Sequence, residues 1–302
     1  MSQVCEEFHE WVESWVEQEI QKCKQKKCKK WCLCCNKWFC WIEIALVKVG
    51  QWVTRVVCEV VNVALDALGG ILGLIFAIPI LGRLLRQIWS ALLDLIWRIV
   101  GLIGALLDWL GVDWEKKYRI CIIILSKQGK PLTSEAALTP TIQNAQAIWK
   151  SAANVKLIVE AVHEVVSTDE LERNLVVECD VGAWTDDLFL TGSNFELYGN
   201  TYCFDGAGRR LIGWASPVVV FVVEDVVGKS GCSLGPFADY VTIEAPSPTG
   251  SPRCLAHELG HAVYPWLHHS DPVNLMHSSC GGTQLREWQR ILMRNSRHIT
   301  YL

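Results

Sequence analysis

The chain has 302 residues, 51% of them apolar and 20% charged, with 15 Trp, 14 Cys and a formal net charge of −4. A chain this apolar is not disordered, its charge supplies no basic field for nucleic acid, and its length exceeds that of a small disulfide-stapled scaffold. Ten of the 15 Trp and eight of the 14 Cys fall in the first 114 residues, so two different materials are joined end to end.

Residues 1–20 carry six Glu and no Lys or Arg, and residues 22–37 carry seven Lys and no acid. This pattern predicts an acidic helix followed by a basic one, with modest support from Glu–Lys pairing. No cleavable signal peptide is evident, because no basic start leads directly into an apolar core with a small-residue cleavage site. The basic stretch holds Cys23, Cys28, Cys32, Cys34, Cys35 and Cys40. Its single C-x-x-C step, Cys32 to Cys35, falls short of the paired steps of a zinc ribbon. Plain apolar use is the default reading, with acylation beside a membrane as an alternative.

Residues 41–114 read as hydrophobic, membrane-associating helices. The 16 residues 67–82 hold no charge. On one side Lys48, Gln51, Arg55, Glu59, Asn62 and Asp66 recur every three or four residues; on the other Arg83, Gln87, Ser90, Asp94 and Arg98 do the same. Each set makes one narrow polar stripe on an otherwise apolar helix, which must face lipid or a deep protein core. The Trp residues suit interfacial anchoring, and the preceding lysines suit an anionic surface. No stretch is a clean span of ~20 residues. The expectation is therefore amphipathic helices embedded in a membrane, or a hairpin whose polar stripes pair, with homo-oligomers through these helices as a corollary.

Residues 117–302 read as one domain of mixed helix and strand. The β-branched apolar runs at 118–125, 155–159, 175–179, 217–223 and 240–245 predict strands. Run 217–223 fits either an edge strand that could pair with a peptide or an internal one. Helical spacing of Ile142, Ala145, Ile148, Trp149 and Ala152 predicts a helix over 141–153. Residues 181–213 read mostly as loop. A further helix is expected to open near Ser251 and Pro252, and a last one to cover 283–294.

The chemistry is concentrated in His257-Glu258-Leu259-Gly260-His261. Two His at i and i+4 lie on one helix face and can share a metal ion, while Glu258 can take a proton from a water on that ion. Downstream come Tyr264-Pro265, His268-His269, Asp271-Pro272 and Asn274-Leu275-Met276. In this order the sequence resembles the metzincin clan of zinc endopeptidases, in particular its matrixin-like bacterial members. Glu287-Trp288-Gln289 and Arg294-Asn295-Ser296-Arg297 look like that family's C-terminal helix. The resemblance covers residues 117–302 and leaves residues 1–114 unaddressed.

The resemblance implies an α+β fold with a mixed twisted sheet and a long zinc-binding helix, here preceded by an all-α hydrophobic region. It implies Zn²⁺ held by His257, His261 and His268, with Glu258 as general base and Met276 in a turn beneath the metal. It also implies hydrolysis of peptide bonds in a peptide or protein substrate by a metal-activated water. Two features depart from the pattern: the spacer before His268 is one residue longer, and Tyr264 stands where a turn glycine is usual. His269 is accordingly the alternative third ligand. Six cysteines lie in this domain, and a bridge between Cys254 and Cys280, which flank the zinc helix and the Met-turn, is expected. The reading is a membrane-associated zinc endopeptidase; the alternative is a membrane-inserting or pore-forming protein carrying a protease-like cargo or regulatory domain.

Overall fold

The computed structural model describes residues 79–109, 111, 113–166, 175–179, 192–204, 213–233, 238–246, 254–264 and 268–301, together with Gln21. The acidic and basic N-terminal segments, the Cys23–Cys40 cluster and the first polar stripe lie outside the described residues.

Six strands build the central sheet. Strands β1 (Lys116–Ile124), β4 (Val155–Glu164), β6 (Val218–Val223) and β9 (Tyr240–Glu244) are parallel in the order β4-β1-β6-β9, and β8 (Gly231–Ser233) closes the far side antiparallel to β9. A short β10 (Ile299–Thr300) pairs antiparallel with Lys117 and Tyr118, beside the start of β1. Short pairs β2 (Ser126–Lys127) with β3 (Lys130–Pro131), and β5 (Val176–Val177) with β7 (Asp225–Val226), complete the strands. All six residues of β6 are buried and both its neighbours are strands, so residues 217–223 form an internal strand; the edge belongs to β8.

Alternation divides the sheet residues between two cores, as a period of two requires. One face turns Tyr118, Ile120, Ile122, Val218, Val220 and Val241 toward two helices, Glu135–Ala153 and Cys254–Val263. The other turns Cys121, Ile123, Val219 and Phe221 toward helix Gly192–Tyr202. In chain order the described helices are α1 (Pro79–Val100), α2 (Leu102–Trp109), α3 (Glu135–Ala153), α4 (Gly192–Tyr202), α5 (Cys254–Val263) and α6 (Glu287–Arg294).

Helix α3 starts six residues before the expected 141. Ser134 Oγ accepts from Ala137 N at 3.3 Å, and Leu138 is buried one turn further on. Capping and burial thus outweigh the missing N–H of Pro140. Asn154 ends α3 in the left-handed region at φ 49°. The stretch expected as loop contains α4, whose Phe195 is buried and stacks on Phe221 at 4.4 Å between ring centroids. Residues 251–253 are outside the described set, and α5 is described from Cys254. Helix α6 begins at Glu287 rather than 283 because residues 283 and 284 are held elsewhere: Thr283 N and Gln284 N donate to Val273 O, and Leu275 N donates to Gln284 O at 2.7 Å.

Helices α1 and α2 pack on the domain with unusual sidedness. Gln87 and Asp94 of the polar stripe are buried, and Arg98 donates to Val263 O at 2.7 Å and Leu292 O at 2.8 Å. Arg98 thereby covers carbonyls at the C-terminal ends of α5 and α6, where a cation is favoured. Asp108 of α2 receives both ends of the Arg294 guanidinium, at 2.9 and 2.7 Å, and all these side chains are fully buried. The outer surface of the pair is a stripe of Leu92, Leu95, Ile99, Leu102, Leu106 and Trp109, the last 71% exposed. Among the described residues, no helix is long and apolar enough to cross a membrane.

Candidate metal centre

Every residue of α5 is buried, so the helix is clamped on all sides between the sheet, α3 and the loop that follows it. Its i, i+4 spacing sets the His257 and His261 rings 4.6 Å apart between centroids. Their Nε2 atoms are 3.0 Å apart, and His268, returning from the following loop, brings its own Nε2 to 3.2 Å from that of His261. The three ligand atoms form a group that could hold a metal ion. Tetrahedral zinc with nitrogens at about 2.0–2.1 Å would space its ligands about 3.3 Å apart, close to the observed separations. Three imidazole nitrogens crowded together at this range, with no acid among them, form a donor set suited to a borderline-soft cation.

The protonation pattern fits the same role. His257 Nδ1 lies 2.7 Å from Leu275 O, so the ring donates there and leaves Nε2 with its lone pair. Burial, followed by the neighbouring imidazoles, lowers His261 to about 3; burial also lowers His257 and His268. Each shift favours the neutral form of the ring, the form that binds a metal.

His269, the alternative ligand, is turned to another task. Its Nδ1 accepts from Asp271 N at 3.0 Å, while its own N–H donates to Met276 O at 2.9 Å. His269 thus fastens the loop to the turn, and His268 is the residue brought to the other two. Tyr264, which stands at the place of the turn glycine, is buried and its N donates to His261 O at 3.3 Å; residues 265–267 lie outside the described set.

The Asn274–Met276 turn is built by side-chain amides. Asn274 Oδ1 accepts from Met276 N at 2.9 Å, and Asn274 Nδ2 donates to Gln289 Oε1 at 2.7 Å, tying the turn to α6. Met276 is fully buried against α5, and a Cβ added at Gly260 would stand 2.5 Å from its Sδ. Gly260 therefore permits the close approach of turn and helix.

Glu258 lies under the sheet edge. A Cβ on Gly231 of β8 would stand 2.6 Å from Glu258 Cγ, so the carboxylate stem is wedged against that strand. Burial is the chief cause that raises the Glu258 carboxyl to about 8. The same carboxylate, His257 and Cys280 form a second group of ligand atoms within 4.8 Å of one another.

The domain cysteines pair differently from the expectation. Cys121 bridges to Cys203, joining β1 to the residue after α4, and Cys179 bridges to Cys232, joining the segment after β5 to β8. Cys254 and Cys280 are not bridged but remain buried thiols that share a hydrogen bond. Sequence reasoning missed β8, Gly231 and both disulfides. Gly-Cys-Ser is too short to show a period of two, and six cysteines allow many pairings.

No family model matches the chain, and no curated protein matches it. Among solved structures, one similar chain belongs to a structure described as a chaperone-substrate complex, at 11% identity and a TM-score of 0.35. The match covers 57% of this chain and 29% of that one, and at this score it carries no argument.

Proposed function

We propose that the protein is a membrane-associated zinc endopeptidase of the metzincin kind. The observation that carries the reading is the convergence of His257, His261 and His268 Nε2 atoms beside Glu258, on a helix seated over a buried Met276. When bound, zinc would supply a Lewis acid that polarises a peptide carbonyl and makes a water acidic enough to attack near neutral pH. Glu258 would be the residue that accepts a proton from the attacking water and returns it to the departing amine. His257 is held in the ligating tautomer by Leu275 O, and Gly260 lets Met276 support the site from below. As the last strand of the sheet, β8 offers backbone groups to an extended peptide, and Gly231 sets that strand directly over Glu258.

Membrane association is supported by the sidedness of α1 and α2. Their polar stripe is spent on the domain, and their outward stripe of Leu, Ile and Trp109 is a continuous apolar surface of the sort that lies in a lipid interface. The uncharged residues 67–82 lead straight into it.

The test is cleavage of a peptide library by the full chain with and without liposomes. The expected outcome is cleavage that a chelator abolishes and one equivalent of zinc restores, with the protein recovered on the vesicles. Cleavage indifferent to chelation would refute the zinc reading, and a protein that stays off vesicles of every composition would refute the membrane reading.

A further inference from the structure

The start of β1 carries positive charge on the sheet face opposite α3 and α5. Cys121 and Ile123 of that face are buried in the core beneath α4. The period of two puts Lys117 and Arg119 on the same face, nearer the beginning of the strand. Register pairs Lys117 with Lys156 of β4 on one side and with Thr300 of β10 on the other. Side chains of register partners leave a sheet on one face, with Cβ atoms about 5 Å apart. Lys117, Lys156, Thr300 and Arg119 therefore form one cluster. Lys156 is exposed, and Lys117 and Arg119 are half-buried, so the cluster is open to solvent. Two lysines directly opposite each other on neighbouring strands repel, where an opposite-charge pair would stabilise the sheet. The acids closest by do not answer them: Glu160 lies 3.0 Å from Arg119 Nε, and Glu115 binds Lys150. Among the described residues no carboxylate forms an ion pair with Lys117 or Lys156. Burial, then Arg119 and Lys156, lower Lys117 from the ordinary lysine value, with Glu115 acting in the opposite sense. Thr300 is 3% exposed, and its Oγ1 has no hydrogen-bond partner. A buried hydroxyl without a partner is costly. A ligand that offers oxygens to one hydroxyl and two ammonium groups removes the repulsion and satisfies the orphan together.

We propose that Lys117, Lys156 and Thr300 form a binding site for a phosphate group. The three donors come from three adjacent strands and converge from different directions. That arrangement suits a tetrahedral oxyanion with several acceptor oxygens better than a carboxylate with two. Lys117, Arg119, Lys150 and Lys156 against Glu115 and Glu160 leave two positive charges, which a phosphate dianion balances. The ammonium groups and the Thr300 hydroxyl all donate, and the phosphate oxygens accept. Free inorganic phosphate and the headgroup of phosphatidic acid both present this chemistry. No residue of the metal centre takes part, so the site is independent of the endopeptidase reading.

The experiment titrates the full chain with inorganic phosphate in a calorimeter at constant ionic strength. In parallel the chain is floated with vesicles of phosphatidylcholine, with and without phosphatidic acid. The wild type should bind phosphate saturably at a single site. Lys117→Gln/Lys156→Gln should weaken binding by about tenfold or more. The same double variant should show a higher urea midpoint in the absence of phosphate, because the facing charges are gone. Thr300→Val keeps every charge and should still weaken binding by about threefold or more. Lys127→Gln/Lys130→Gln removes two charges at the β2–β3 pair and should bind phosphate as the wild type does. Loss of flotation on phosphatidic acid in the Lys117/Lys156 variant would identify the lipid headgroup as the source of the phosphate. Unchanged flotation with weakened phosphate binding would identify the free ion. The proposal is overturned if the Lys117/Lys156 variant binds phosphate and phosphatidic acid as tightly as the wild type, or if the wild type binds neither. An equal loss in the Lys127/Lys130 variant would overturn it too, since any surface charge would then serve.

Discussion

Helix α3 and the α1–α2 pair both bury apolar residues against the domain, Leu93, Trp97, Val100 and Leu107 in the pair, but differ in the surface each turns outward. Helix α3 buries Leu138, Ile142, Ala145, Ile148 and Trp149, and exposes its polar residues, as a helix bordered by water does. The α1–α2 pair buries Gln87, Asp94 and Asp108, and exposes Leu95, Ile99, Leu102 and Trp109. Two helical regions of one chain thus present different outer surfaces, one mainly polar and one mainly apolar. Residues 79–109 are packed on the folded domain, where Arg98 covers the C-terminal end of α5, the helix that carries His261.

The largest expected effect comes from breaking the polar seam. Asp108→Ala removes the buried acid shared by Arg294 and Lys116, leaving the half-exposed Asp113 at 3.3 Å as the acid beside Arg294, and should cost about 3–5 kcal/mol, measured as a drop in the urea midpoint of the full chain. A smaller loss would mean that α1 and α2 rest on the domain without holding it.

Next comes a direct contrast between the two apolar stripes. Ile148→Ala in α3 should cost about 2–5 kcal/mol. Ile99→Ala in α1 should change stability by no more than about 0.5 kcal/mol, yet weaken binding to anionic liposomes in a flotation assay. Equal losses of stability would show that the outer stripe of α1 is buried after all.

Gly260→Ala should cost about 1–3 kcal/mol, because the added methyl meets the buried Met276. Zinc affinity should fall with it, as read by competition with a chromogenic chelator. Unchanged affinity would separate the Met276 seat from the metal centre.

Last comes a pH dependence at His298. His298 is lowered to about 4, chiefly by burial and then by Arg297, with Asp239 and Asp94 acting in the opposite sense. Between about pH 6.5 and 4 the unfolded chain therefore binds a proton that folded His298 refuses. Its contribution to stability is fully present above pH 6.5 and is lost as the pH falls through that window. His298→Asn should flatten the decline in urea midpoint between pH 7 and 4.5; an identical decline in both proteins would refute this assignment.

Much of the sheet was legible because buried parallel strands are continuous apolar runs, as in Val218–Val223. The metal helix was legible because its i, i+4 His pair is a chemical pattern within one turn. The orientation of α1 was not. A narrow polar stripe says that one face differs from the rest, and the same period describes a stripe turned to water or to protein. Helix α4 escaped because its apolar positions, Phe195, Tyr198 and Tyr202, are interspersed with Gly and Asn. Strand β8 and the two disulfides escaped because each depends on a partner remote in sequence, a matter of topology rather than local pattern.

The central claim is that three histidines hold zinc and Glu258 works beside it. The most direct measurement compares the full-length wild type with Glu258→Ala for zinc content and peptide cleavage in the same preparations. The account predicts about one zinc per chain in both proteins and cleavage in the wild type alone. Cleavage that survives in Glu258→Ala, or a wild type that binds no zinc, would contradict it.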